Sequence, residues 1–322
     1  MHSDSVIDRR TMEELYLTGF EMAVREGRPK AIMPSYNRIN GTYASENRTL
    51  LQDILRDRWG FTGFAVTDWG GSNDRVAAVR AGTHVEMPTT GGDSDRAVAR
   101  AVRSGELDEA LLDQRLNEYL TVLFDTLIPE NAPADFDREG HHELARRAAG
   151  ESIVLLKNEG GILPLAQGER VAVIGDFAET PRYQGAGSSS VNAIQVDTPL
   201  DCLKESGLNV VGYAPGFRRH GGVDNGLLRA AVELAKRADV VLLYLGLDEL
   251  AESEGLDRPD MALRPNQVEL LKAVSAANPK VVVVLAGGLP GGDPLAGPLP
   301  GPDPRLSGRP GRGGGHGRRP DR

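Results

Sequence analysis

Apolar and polar positions follow two rhythms along this 322-residue chain, and their alternation predicts an α/β architecture. Apolar residues recur at helical spacing over residues 11–26, and a short strand at 31–33 then runs into Pro34-Ser35-Tyr36-Asn37. A helix is expected over 46–59, with Ser45 as its N-cap and Gly60 and Gly63 breaking it. Strand 64–67, helix 74–81, strand 83–87 and helices 93–104 and 106–126 complete this part. Strand–helix repeats of this kind suit a parallel sheet or a (β/α) barrel. Such a barrel takes roughly 250 residues. The first domain is therefore expected to be the C-terminal part of a (β/α) TIM-type barrel, incomplete at its N-terminus.

A Pro- and Asp-rich stretch, LIPENAPADFDRE, reads as a linker. Beyond it come helix 142–157 and strands at 171–174, 209–213, 240–245 and 281–286. Helices at 225–237 and 266–277 alternate with those strands in a doubly wound pattern. The expected division is a partial barrel at 1–126, a linker at 127–141, an incomplete α/β domain at 142–286 and a disordered tail at 287–322. That tail holds 12 of the 39 glycines and 8 of the 20 prolines, too little apolar surface to offset chain entropy. A GC-rich back-translation of GRGGGHGRRPDR, shifted by one base, reads AGAGAMADVLT, an ordinary helical string. A frameshift shortly after Ala286 is the expectation.

Charge and composition narrow the partners. A formal net charge of -9 gives no electrostatic reason to bind nucleic acid or an anionic membrane surface. Neither a signal-peptide core nor a membrane-length apolar run is read in the sequence. One cysteine, Cys202, excludes an internal disulfide and fits a reducing compartment, so a cytoplasmic location is expected. No spacing of His, Cys or acidic residues suggests a metal site, and no cofactor is expected.

Four stretches could carry chemistry. In FAVTDWGGSND a strand ends on Asp68, where a (β/α) barrel places its active site, but an aspartate before glycines also caps helices. In GLDELAESEGLDR five acidic residues fall between Asp248 and Asp257, more than a loop needs for solvation; a solvated acidic loop is the plainer alternative. VAVIGD lacks the GxGxxG that a dinucleotide site needs immediately after the strand, so the Gly/Ser-rich loop 185–190 reads as substrate-facing or packing. The histidines, His84 and His220 among them, read as surface or capping residues.

Taken together, several strings resemble family 3 glycoside hydrolases of the β-glucosidase type. They are MPSYNRINGTYASENRTLLQDILRDRWGFTGFAVTDWGG, HVEMP, ARRAAGESIVLLKNEGGILPL, VAVIGDFA and ESEGLDRPDMALRPNQVELLKAV. The likeness runs from about Val6 to Ala286. It implies a (β/α) barrel followed by an α/β sandwich, with the sugar bound between them. It also implies that Asp68 is the nucleophile and Glu254 the acid/base, with Glu252 as the alternative acid. Trp69 would pack against the sugar and Tyr36 would lie close to the nucleophile. The implied activity is retaining hydrolysis of terminal β-D-glucosyl residues in a β-glucoside or oligosaccharide. A β-xylosidase or related exo-glycosidase on the same fold, and an inactive remnant or carbohydrate-binding fragment, are the alternatives. The chain departs from the family pattern in three ways: early barrel strands are missing, His84 stands where an aspartate is usual, and the second domain stops early.

Overall fold

A computed structural model describes residues 3–127 and 135–287, and the chain divides into two units between Ala145 and Arg146. In the first unit five strands are each two residues long: β1 (Asp4–Ser5), β2 (Ala31–Ile32), β3 (Arg38–Ile39), β4 (Thr42–Tyr43) and β5 (Phe64–Ala65). Strand β2 lies parallel to β5, and Val66 bridges in parallel to Val85, so the apolar runs at 31, 64 and 85 do line up side by side. They are shorter than their patterns predict: past Val66 the ladder gives way to single main-chain bonds, such as Thr67 N–H to Val85 O at 2.9 Å, joined by a side chain. Beyond Val66 the Thr67 hydroxyl donates to Met87 O at 3.2 Å and accepts from Met87 N–H at 2.9 Å.

Strands β3 and β4 form a hairpin that the periodicity does not predict. Its two turn residues, Asn40 and Gly41, have φ of 50° and 88°. Asn-Gly is the pair that best tolerates two positive φ values, and their twist matches that of the flanking strands.

The helix expected at 11–26 is present from Arg9 to Gly27, with a π-helical stretch at Met12–Leu17. Asp8 caps it, accepting from Thr11 N–H at 3.0 Å. The helix expected at 46–59 is π-helical over Thr49–Arg58 and buries Leu51, Ile54 and Leu55 against Val24, Trp59 and Phe61. Ser45 does not cap it: Ser45 is buried and its Oγ donates to Gly71 O at 2.8 Å, while Asn47 Oδ1 accepts from Leu50 N–H. Helices Arg75–Ala81, Asp93–Ser104 and Glu109–Asp125 close a second small core on Val79, Ala101 and Leu107.

The second unit is built on a parallel sheet of β6 (Arg170–Ile174), β7 (Asn209–Ala214), β8 (Val240–Gly246) and β9 (Val281–Ala286), in the order β7-β6-β8-β9. Successive side chains point to opposite faces, and both faces are covered. Ala172, Ile174, Val241, Leu243 and Leu245 pack with Leu234 of helix Asn225–Ala235 and Leu270, Leu271 and Val274 of helix Pro265–Ala277. Val171, Val173 and Leu242 pack with Leu200 of helix Pro199–Glu205 on the other face. Thr198 caps that last helix and Pro199 opens it, a pairing suited to a helix start.

The helix expected at 142–157 needs correction. It runs from Arg138 to Ser152, so it begins inside the segment expected as linker, and residues 153–157 have no regular structure. Asp137 sets the start by accepting from Gly140 N–H at 2.8 Å, and the β-branched pair Ile153-Val154 disfavours continuation. The expected disordered tail lies outside the described residues from 288 onward.

Candidate active site

Asp68 follows directly on the β5 run, and its surroundings are fixed by the main chain. Gly70 N–H donates to Met87 O at 2.7 Å, Gly71 N–H donates to Asp68 O at 2.9 Å, and Ser45 holds Gly71 O. Gly70 has φ of 81°, which suits glycine, and a Cβ on Gly71 would stand 3.2 Å from Asp68 O. Glu46 Oε1 accepts from Asn73 and Asp74 N–H at 3.1 and 2.8 Å, closing the far end of the loop. Asp68 caps no helix: the following helix is capped by Asp74, which accepts from Ala77 N–H at 3.0 Å. The Asp68 carboxylate is half-buried, and its Oδ1 accepts from Trp69 N–H at 2.6 Å.

Trp69 stands out from this turn with 69% of its surface exposed, an apolar plate beside the carboxylate. The Tyr36 hydroxyl donates to Trp69 O at 3.2 Å, so the Ser-Tyr-Asn segment and the Asp-Trp turn are held together.

Behind β5 lies a buried polar cluster that the sequence reading did not pick out. Ala65 N–H donates to His84 Nδ1 at 3.0 Å, so that nitrogen is unprotonated and the proton sits on Nε2. Nε2–H then donates to Glu118 at 2.7 Å. Arg115 Nη1 donates to the same oxygen at 2.8 Å, and Arg56 Nη2 lies 3.4 Å from it. Burial works to raise the Glu118 carboxyl, but donors from His84, Arg115 and Gln114 and the charge of Arg56 hold it down at about 2. Burial holds His84 below the usual imidazole range, more strongly than Glu118 raises it. His84 is thus a neutral bridge between strand and helix rather than a surface residue. Its signal in the sequence was weak, one histidine in a short strand.

In the second unit the acidic loop after β8 separates two glutamates that look alike in sequence. Glu252 is 11% exposed; Arg182 Nη1 donates to its Oε2 at 2.9 Å, and Arg258 stands 3.6 Å from its Oε1. Arg258 therefore pairs with Glu252, not with its chain neighbour Asp257. Glu254 is exposed, and its Oε2 accepts from Ser188 N–H at 2.7 Å and from the Ser188 hydroxyl. The Gly/Ser loop 185–190 thus packs on Glu254. Gly187 makes this possible, since a Cβ there would stand 2.5 Å from Glu254 Cβ. Among the described residues no group of three or more His, Cys, Asp or Glu is arranged to hold a metal ion. No helix among them is long and apolar enough to cross a membrane.

Comparison with known proteins decides the family. Residues 2–122 match the glycosyl hydrolase family 3 N-terminal domain and residues 153–291 match the C-terminal domain of the same family. This chain belongs to glycosyl hydrolase family 3. The family 3 chain is 42% identical over 294 residues to a thermostable beta-glucosidase B of Acetivibrio thermocellus, covering 90% of this chain and 39% of that protein. It is 43% identical over 296 residues to an exo-alpha-(1->6)-L-arabinopyranosidase of Bifidobacterium breve, covering 88% of this chain and 39% of the relative. The crystal structure of a family 3 beta-glucosidase from Bifidobacterium adolescentis superposes with a TM-score of 0.78 at 43% identity, over 90% of this chain and 42% of that one. The chain thus spans about two-fifths of the length of these relatives.

Proposed function

We propose that this family 3 chain carries both carboxylates of a retaining β-glycosidase acting on terminal β-D-glucosyl residues. The observation that supports it most is Asp68: a half-buried carboxylate on a turn fixed from three sides, beside an exposed tryptophan, capping no helix. In this reading Asp68 attacks the anomeric carbon while Glu254 protonates the departing oxygen. Glu254 then takes a proton from the water that releases the glycosyl-enzyme. Trp69 offers its face to the sugar ring and Tyr36 lines the approach to Asp68. Glu252 is set aside as the acid because its oxygens are taken by Arg182 and Arg258. We also assign residues 1–126 to part of a (β/α) barrel and 142–286 to an incomplete α/β sandwich. The cytoplasm is the proposed compartment, on the strength of the unpaired Cys202.

A second substrate reading has its own support. The arabinopyranosidase relative is as similar as the β-glucosidase, so a terminal α-L-arabinopyranosyl group is an alternative to β-D-glucosyl. Aryl glycosides of glucose, xylose and L-arabinopyranose, each hydrolysed by the intact chain and by Asp68→Ala, test both readings. Activity lost in Asp68→Ala and restored by azide as the inverted glycosyl azide is the expected result. Turnover of none of the glycosides by the wild-type chain would favour a remnant that at most binds sugar.

A further inference from the structure

The loop joining β8 to helix Pro265–Ala277 carries Glu254 and is fastened at three heights. At its neck the fully buried Asp248 side chain pairs with Arg264, whose Nη2 lies 2.9 Å from Oδ1, and accepts from Leu250 and Ala251 N–H at 3.0 and 2.9 Å. Half-way along, Arg182 enters from the segment after β6. Its Nη1 donates to Leu247 O at 2.7 Å, Asp248 O at 3.1 Å and Glu252 Oε2 at 2.9 Å, and its Nη2 donates to Glu252 O at 2.8 Å. At the tip, Ser188 donates twice to Glu254, and Glu254 N–H returns a bond to Ala186 O at 3.0 Å.

Arg182 and Ser188 belong to one seven-residue stretch, so a single segment grips both the body of the loop and the carboxylate at its tip. Arg182 is only 8% exposed, and its fork of donors fits carbonyls that a lysine ammonium could not bridge together. Glycine at 187 (φ 106°) lets this segment come close enough to touch the glutamate.

We propose that the 182–188 segment is the positioning element for Glu254, with Arg182 fixing the loop and Ser188 fixing the carboxylate on it. This rests on the reading of Glu254 as acid/base. A general acid must meet its leaving group within hydrogen-bond reach, and a misplacement of about 1 Å costs on the order of 100-fold. Neither residue need touch the sugar to control the rate.

The test compares a glycoside that needs the acid with one that does not. Phenyl β-glucoside requires protonation of its leaving oxygen, whereas 2,4-dinitrophenolate departs unaided. For Arg182→Lys, kcat/KM for the phenyl glycoside is expected to fall about 100-fold and that for the dinitrophenyl glycoside less than about 3-fold. Ser188→Ala should show the same split with a loss of about tenfold. Equal losses on both substrates would mark a merely structural role, and no loss would mark none; either overturns the proposal. A second readout on the full chain needs no turnover. Amide exchange across residues 249–256 should quicken about tenfold in Arg182→Lys, with 265–277 unchanged. Unchanged exchange overturns the grip itself. A wild-type chain that cleaves neither glycoside refutes the acid/base reading, and exchange still decides whether the segment holds the loop.

Discussion

Replacing Glu118 by glutamine keeps the side chain's size and removes its charge from among Arg56, Arg115 and His84. The carboxyl is held at about 2 in the folded chain against an ordinary 4.5. That difference is worth about 3 kcal/mol of stability, and the side chain is only 18% exposed, so little of it is screened away. The folded form keeps the carboxylate ionised, so this contribution is complete above pH 4.5 and fades as the pH falls through 4.5 toward 2. His84 acts in the same direction from higher up: below its ordinary 6.5 the unfolded imidazole takes a proton that the buried ring resists. Both tryptophans, Trp59 and Trp69, lie in the first unit, so their fluorescence follows the unfolding of that unit alone. In urea the midpoint of Glu118→Gln at pH 7 should fall by roughly 1.5 M, at a slope of about 2 kcal/mol per molar. The gap between wild type and variant should then close as the pH is lowered from 5 toward 2. A gap below about 0.5 kcal/mol at pH 7, or one that stays constant with pH, would refute the reasoning.

Other outcomes follow from each unit in turn. Leu270 is fully buried among Ile174, Leu243 and Val274, so Leu270→Ala should cost about 2–5 kcal/mol by circular dichroism in urea. In Gly175→Ala a Cβ would stand 2.0 Å from Tyr244 O at a φ of 115°, between the two central strands. Its melting temperature should fall steeply, and an unchanged value would mean the sheet can spread there. Removing the N-cap of helix Arg75–Ala81 in Asp74→Ala should cost about 1 kcal/mol, read by fluorescence.

The elements that sequence made legible were those whose pattern is local and whose burial is two-sided. The runs VAVI and VVLLYL became the inner strands of the parallel sheet because apolar side chains were needed on both faces, while VVVVLA stands at the edge of the described sheet beside VVLLYL. The β3–β4 hairpin leaves no periodicity in the sequence, because strands of two residues are too short for alternation to show, and its signal is the Asn40-Gly41 turn alone. Ser45 had the right chemistry for a cap but was drawn instead to Gly71 O, a partner 26 positions away that no local rule supplies. The same limit applies at the site. Asp68 and Glu254 could be named from motifs, but Arg182, Ser188, His84 and Glu118 act through contacts across 34–70 positions of chain.

The central claim is that Asp68 is a nucleophile. Incubating the full chain with 2,4-dinitrophenyl 2-deoxy-2-fluoro-β-glucoside and digesting it for mass spectrometry puts that claim to the test, because the fluorine slows release of the glycosyl-enzyme. One fluoroglucosyl group per chain is expected, on the peptide containing Asp68, and none in Asp68→Asn. A label on another carboxylate, or an unlabelled wild-type chain, would contradict it.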